Sequence, residues 1–173
     1  MLSREIKLIY ILGFMGSGKT TLAHLIHQRW KLPLYDTDQL LEEKFSTSIP
    51  DQLTQNPALF RQREADLIAQ LVQLDQGVIS LGGGAVEHPS TRGLLKGKPV
   101  IFLDPGADIC WQRVQADTQQ RPLAADYDSF VALYKKRLPM YKKICRWHIT
   151  ADLHPERLVS SLEKILQRSD STG

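Results

Sequence analysis

A lysine, a hydroxyl pair and two carboxylates stand at spacings suited to phosphate chemistry. Gly13-Phe14-Met15-Gly16-Ser17-Gly18-Lys19-Thr20 follows the apolar run Leu8-Ile9-Tyr10-Ile11-Leu12 and leads into Thr21-Leu22-Ala23-His24-Leu25-Ile26. The spacing is G-x-x-x-x-G-K-T, set between a strand and a helix. A loop without bulky side chains at those positions can turn its backbone N–H groups around a phosphate, and the helix starting there adds the positive end of its dipole. Lys19 then reaches the terminal phosphates, and the Thr20 hydroxyl offers a ligand for Mg²⁺. A glycine-rich turn with no ligand would need neither the Lys-Thr pair nor the strand-to-helix context.

Asp36-Thr37-Asp38 closes the next apolar segment, Leu34-Tyr35. Two carboxylates separated by one residue at a strand end lie on the same side of the chain. In an open α/β sheet that end is where ligands bind, so Asp36 and Asp38 are expected to face the crevice that holds the glycine loop. Taken alone, either could simply cap the helix that follows; the upstream phosphate loop favours the functional reading. Further on, Arg61 and Glu64 share one helix face and can pair. Gly82-Gly83-Gly84 follows a strand, so backbone there must approach something closely or adopt a conformation closed to other residues.

Strands alternate with helices along the whole chain. Helical patterns run over Thr20 to Trp30, Gln39 to Phe45, Pro57 to Leu74, Pro89 to Lys96, Ala107 to Val114, Tyr127 to Arg146 and Pro155 to Gln167. Val78 to Leu81, Val100 to Leu103 and His148 to Thr150 read as further short strands. That order predicts an α/β fold with a five-stranded parallel sheet and helices on both faces. Residues 1–173 fit one domain. The polar stretch from Gln115 to Asp128, interrupted by Pro122 and carrying Arg121, is either an inert surface loop or a mobile lid. Phosphoryl transfer must exclude water, and an arginine-bearing lid serves that need.

A net charge of +3 is scattered rather than gathered into a basic stripe, which argues against nucleic acid and suits a small anionic ligand. Cys110 and Cys145 lack metal-ligand spacing, as do His24, His27, His88, His148 and His154. No segment reads as a leader or a membrane span, so a cytoplasmic protein is the expectation. A monomer is expected.

With these pieces in order, the chain resembles the shikimate kinase family over nearly its whole length. The resemblance rests on residues 13 to 21, Asp36-Thr37-Asp38, Phe60-Arg61-Gln62-Arg63-Glu64, Gly82-Gly83-Gly84, Arg121-Pro122-Leu123 and Arg137-Leu138-Pro139-Met140-Tyr141. It implies a three-layer P-loop fold with a lid at about 115–128 and an acceptor-binding region at about 36–64. It also implies ATP and shikimate as substrates, with phosphorylation of the shikimate 3-hydroxyl in aromatic amino-acid biosynthesis.

By the same resemblance, Gly13, Met15, Gly16, Ser17, Gly18, Lys19, Thr20 and Thr21 bind ATP, with Arg113, His154 and Pro155 towards the adenine. Thr20 and Asp36 hold Mg²⁺, and Asp38 orients and deprotonates the acceptor hydroxyl. Arg61 and Arg137 clamp the shikimate carboxylate, aided by Gly82, Gly83 and Gly84, while Glu64 positions its neighbours. Lys19 and Arg121 stabilise the transferred phosphoryl group. Planar guanidinium forks match a carboxylate better than ammonium groups do.

Two departures lie beside the acceptor region: Asn56-Pro57 replaces the family's usual Gly-Glu, and Leu53 replaces a common aromatic. The competing readings are a gluconate or other small-metabolite kinase, and a nucleotide-binding regulatory module without catalysis. The second has no need of Asp38, Arg61, Arg121 and Arg137 together.

Overall fold

The computed structural model describes residues 7–117, 126–150 and 154–168. Five strands form one parallel sheet in the order β2-β3-β1-β4-β5. They are β1 (Leu8–Gly13), β2 (Leu34–Asp36), β3 (Gly77–Ser80), β4 (Val100–Leu103) and β5 (Trp147–Ile149). The helices are α1 (Lys19–Trp30), α2 (Thr37–Phe45), α3 (Ile49–Gln55), α4 (Pro57–Leu71), α5 (Pro89–Leu95), α6 (Ala107–Ala116), α7 (Tyr127–Ile144) and α8 (Pro155–Arg168), with a 3₁₀ turn at Ala85–Glu87.

The layering follows from the two-residue period of a strand. Ile9 and Ile11 of β1 point to one face, where Leu22, Ala23 and Ile26 of α1 and Leu158 and Leu162 of α8 cover them. Tyr10 and Leu12 point to the other, into a larger core with Phe60, Ile68, Leu95, Cys110, Phe130 and Tyr141. Because both faces are covered, the central strands are apolar throughout, as a parallel sheet requires. The predicted five-stranded α/β architecture is thus observed.

Several boundaries differ from the expectation, each for a local reason. Helix α4 ends at Leu71 rather than Leu74. Beyond it the chain tightens into i→i−3 bonds, Gln73 N to Gln70 O and Leu74 N to Leu71 O, both 3.2 Å. Strand β3 begins one residue early, at Gly77, whose N–H donates to Lys7 O at 2.8 Å. Helix α2 starts at Thr37 instead of Gln39, because Asp36 caps it. The Asn56-Pro57 departure is a helix start: Asn56 Oδ1 accepts from Leu59 N at 3.0 Å and Pro57 opens α4.

The segment read as a lid narrows at both ends. Gln115 and Ala116 belong to α6, and Tyr127 and Asp128 open α7 behind the cap Asp126. Residues 118–125, including Arg121, lie outside the described residues. Among the described residues, no helix is long and apolar enough to cross a membrane.

Candidate active site

The carboxyl ends of three neighbouring strands, β2, β3 and β1, carry the segments singled out from the sequence. After β1 the phosphate loop turns tightly, with Ser17 N donating to Phe14 O at 3.1 Å. Gly16 has φ 77°, and a side chain there would also run into the Cys110 carbonyl of α6, so only glycine fits. Gly18 caps α1. Met15, Ser17 and Lys19 are buried, and Thr20 and Thr21 are exposed at the head of α1.

Arg113 reaches back from α6 onto this loop, donating from Nη1 to Ser17 O at 3.1 Å and Gly16 O at 3.3 Å. The arginine expected near the adenine therefore also braces the loop's carbonyl side. His154 is exposed just before α8. The side chain of Pro155 and residues 151–153 lie outside the described residues.

After β2, Asp36 is a helix cap in fact. Its Oδ1 accepts from Asp38 N at 3.0 Å and Gln39 N at 3.2 Å, which leaves Oδ2 for any other role. Thr37 is fully buried and accepts from Gly82 N at 2.9 Å, tying the β2 and β3 loops together. Asp38 then turns towards Glu64 of α4. A methyl group on Gly82 would lie 2.5 Å from Glu64 Oε1 and 2.7 Å from Asp38 Oδ1.

The three glycines after β3 each meet a different part of the site. Gly82 faces the two carboxylates. Gly83 packs on the phosphate loop, where a methyl group would sit 3.2 Å from Gly13 O and 3.6 Å from Met15 N. Gly84 lies directly under the Arg61 guanidinium, which any side chain there would overlap. None of the three has positive φ, so close approach, not conformation, requires glycine here.

Arg61 and Arg137 come together from α4 and α7. Arg61 Nη1 pairs with Glu64 Oε2 at 2.7 Å, and the Arg137 guanidinium carbon lies 5.6 Å from the centre of the Phe14 ring. Arg137 is 2% exposed and Glu64 1%. Burial pushes Glu64 up to about 7; the attraction of Arg61 opposes this and the nearby Asp38 charge adds to it. Glu64 Oε1 has no hydrogen-bond partner among the described residues.

Four features of the site were given no role by the sequence. Glu87, at the end of the 3₁₀ turn, holds Arg137 Nε at 3.1 Å, Arg61 Nε at 3.4 Å and Lys136 Nζ at 3.6 Å. Tyr141 donates its hydroxyl to Gly83 O at 2.5 Å. Thr37 makes the bond to Gly82 already described. At the end of β4, Asp104 accepts from Tyr134 at 2.6 Å and Gly106 N at 3.2 Å and pairs with His148 Nε2 at 2.9 Å. The signal for Glu87 would have been a lone acid just past a glycine run, which is weak by itself.

The geometry thus joins a phosphate loop, a paired carboxylate site and two arginines within one crevice. The chain as a whole is similar to known proteins. A family model described as shikimate kinase matches residues 15–168. A shikimate kinase of Enterococcus faecalis is 35% identical over 160 residues, covering 89% of this chain and 95% of that relative. The solved shikimate kinase of Acinetobacter baumannii in complex with shikimate superposes with TM-score 0.87 at 26% identity, covering 98% of this chain and 97% of the other. A gluconokinase of Sinorhizobium meliloti shares the fold alone, with TM-score 0.58 at 14% identity over 96% of this chain and 94% of its own.

Proposed function

The chain belongs to the shikimate kinase family, and from that premise we propose that it transfers the γ-phosphoryl group of ATP to the 3-hydroxyl of shikimate, giving shikimate 3-phosphate and ADP. The observation that carries this reading is the Gly82–Gly84 segment. It rests on the phosphate loop at Gly83 while its neighbours touch Asp38 and Glu64 on one side and Arg61 on the other. In this reading donor loop, base and carboxylate-binding groups therefore share one connector.

In this reading the shikimate carboxylate is held by Arg61 and Arg137, the two guanidiniums of the crevice. The ring is thereby oriented with its 3-hydroxyl at Asp38. Asp38 accepts the hydroxyl proton as the oxygen bonds to the γ-phosphorus, and the bond from that phosphorus to the β-phosphate oxygen breaks, releasing ADP. Lys19, at the head of α1, faces the charge that develops on the phosphates. Catalysis here is mostly positioning and neutralisation. Arg121 is assigned the same neutralising role by its motif, and Arg113, His154 and Pro155 the flank of the adenine.

The protein's own donors suit a magnesium ion that arrives with the nucleotide. Among the described residues no three His, Cys, Asp or Glu side chains are clustered to hold a metal. Thr20 is exposed at the helix start and Asp36 has only Oδ1 committed to its cap. One hydroxyl and one carboxylate, completed by phosphate oxygens and water, match the preference of Mg²⁺. When bound, the ion would neutralise phosphate charge. We propose further that the protein works as a monomer in the cytoplasm, as one kinase domain over residues 1–173.

The test is ADP release in a coupled assay with shikimate, with gluconate and with no acceptor. Turnover with shikimate alone is expected. Turnover with gluconate and not shikimate would overturn the assignment, and ATP binding without turnover on any acceptor would favour a regulatory module.

A further inference from the structure

The two arginines assigned to the acceptor's carboxylate already hold a carboxylate of the chain itself. Glu87 bridges them: Oε1 lies 3.1 Å from Arg137 Nε and 3.6 Å from Lys136 Nζ, and Oε2 lies 3.4 Å from Arg61 Nε. Arg137 is 2% exposed and the Arg61 side chain 14%. A guanidinium so enclosed is costly without a counter-charge. The obvious alternative partner, Glu64, is pushed by burial to about 7 and is half neutral at that pH.

Glu87 stays charged. Partial burial works against its ionised form, but the attraction and hydrogen bond of Arg137, with Arg61 and Lys136 behind them, outweigh it and lower its pKa. Its side chain is 24% exposed, the most open of the carboxylates on these arginines. Its bond to Arg137 is made at Nε, and its closest approach to Arg61 is also at Nε.

We infer that Glu87 is a resident counter-ion of the acceptor clamp, one that neutralises Arg61 and Arg137 in the free enzyme and yields or shares them when an acceptor carboxylate arrives. This rests on the reading of Arg61 and Arg137 as the carboxylate clamp. Two carboxylates against the same pair repel each other, so Glu87 lowers the affinity for the acceptor and sets it to a moderate value. The same group keeps the free enzyme from burying uncompensated charge. Glu87 is therefore an affinity-determining residue that acts through the arginines.

The experiment compares Glu87→Gln and Glu87→Asp with the unsubstituted protein, using shikimate and its methyl ester, which lacks the negative charge. Glu87→Gln is expected to lower KM for shikimate about three- to tenfold, with KM for ATP and KM for the ester unchanged. Without ligand Glu87→Gln melts at lower temperature, and saturating shikimate raises its Tm more than it raises that of the unsubstituted protein. Glu87→Asp keeps the charge and stays nearer the unsubstituted KM. A rise in KM for shikimate in Glu87→Gln, an equal change for acid and ester, or no change at all overturns the inference. If the unsubstituted protein does not turn over shikimate, it is the proposed function that fails.

Discussion

The guanidinium of Arg137, on α7, sits over the ring of Phe14, in the phosphate loop, 5.6 Å from its centre. Arg137 is thus packed against the phosphate loop rather than merely near it. Phe14 is itself wedged edge-on against Phe130 at 4.9 Å and Tyr134 at 5.5 Å, so its position is fixed by α7 as well. A cation over a ring in a desolvated site contributes about 0.5–2 kcal/mol.

Phe14→Leu fills most of the same volume and removes the ring. It is expected to raise KM for shikimate about two- to thirtyfold, the equivalent of the lost cation–π contact, with a smaller effect on KM for ATP. Steady-state kinetics with each substrate varied in turn checks this. A lowered melting temperature with unchanged KM for shikimate would show that Arg137 is held by Glu87 without help from the ring.

Gly84→Ala tests the close approach of backbone to Arg61. Gly84 has φ −93° and ψ −1°, a conformation open to alanine, so the substitution strains contacts and not the backbone. The new methyl overlaps the guanidinium, and the arginine tip, being flexible, moves away. A displaced charge-assisted hydrogen bond is worth about 1.5–3 kcal/mol, so KM for shikimate should rise about tenfold or more with little change in stability. Titration of shikimate binding together with urea denaturation separates the two effects. Unaltered affinity would mean that Arg61 does not touch the acceptor.

Glu64 makes the site's pH dependence distinctive. Its folded-state pKa, pushed up to about 7 by burial, lies above the ordinary glutamate value of 4.5. Between those values the folded protein holds a proton that the unfolded chain has released. Its contribution to stability is therefore full below the unfolded value and is lost as pH rises through about 7, with a slope of at most ~1.4 kcal/mol per pH unit. Glu64→Gln cannot titrate. Urea unfolding at pH 5 and pH 8 should show the unsubstituted protein losing stability relative to Glu64→Gln as pH rises. Parallel profiles would put Glu64 in the ordinary carboxylate range.

The parts of the site that were legible in the sequence are those whose chemistry is local. The phosphate loop declares itself because its glycines, lysine and threonine act within eight consecutive residues. The strands declare themselves because both faces of the sheet are covered, so Leu8–Leu12 and Val100–Leu103 are apolar without interruption. Asp36 was ambiguous in principle: the same carboxylate can cap α2 and offer its second oxygen elsewhere. Glu87 was out of reach because its partners belong to α4 and α7, and no local pattern connects an acid to arginines on other helices. The Asp104, Tyr134 and His148 network is hidden for the same reason, being assembled from β4, α7 and β5.

Asp38 carries the chemical step in this reading, and its surroundings allow a clean test. The start of α2 is fixed by Asp36, which accepts from the Asp38 backbone N–H at 3.0 Å, so the cap is made by the Asp36 carboxylate. Asp38→Asn therefore keeps the helix, the volume and a hydrogen-bond acceptor while removing the base and one negative charge beside Glu64. General-base catalysis is worth about 10²–10⁴-fold, and kcat should fall by that order while the affinity for ATP stays within about twofold of normal. Asp36→Asn is the complement: asparagine caps a helix about as well as aspartate, so the fold is kept and the loss should appear as a raised Mg²⁺ requirement in a magnesium titration. If Asp38→Asn retains its turnover, proton removal is assigned to the wrong carboxylate. If both variants lose turnover together with ATP affinity, the two aspartates act on the nucleotide side as one unit.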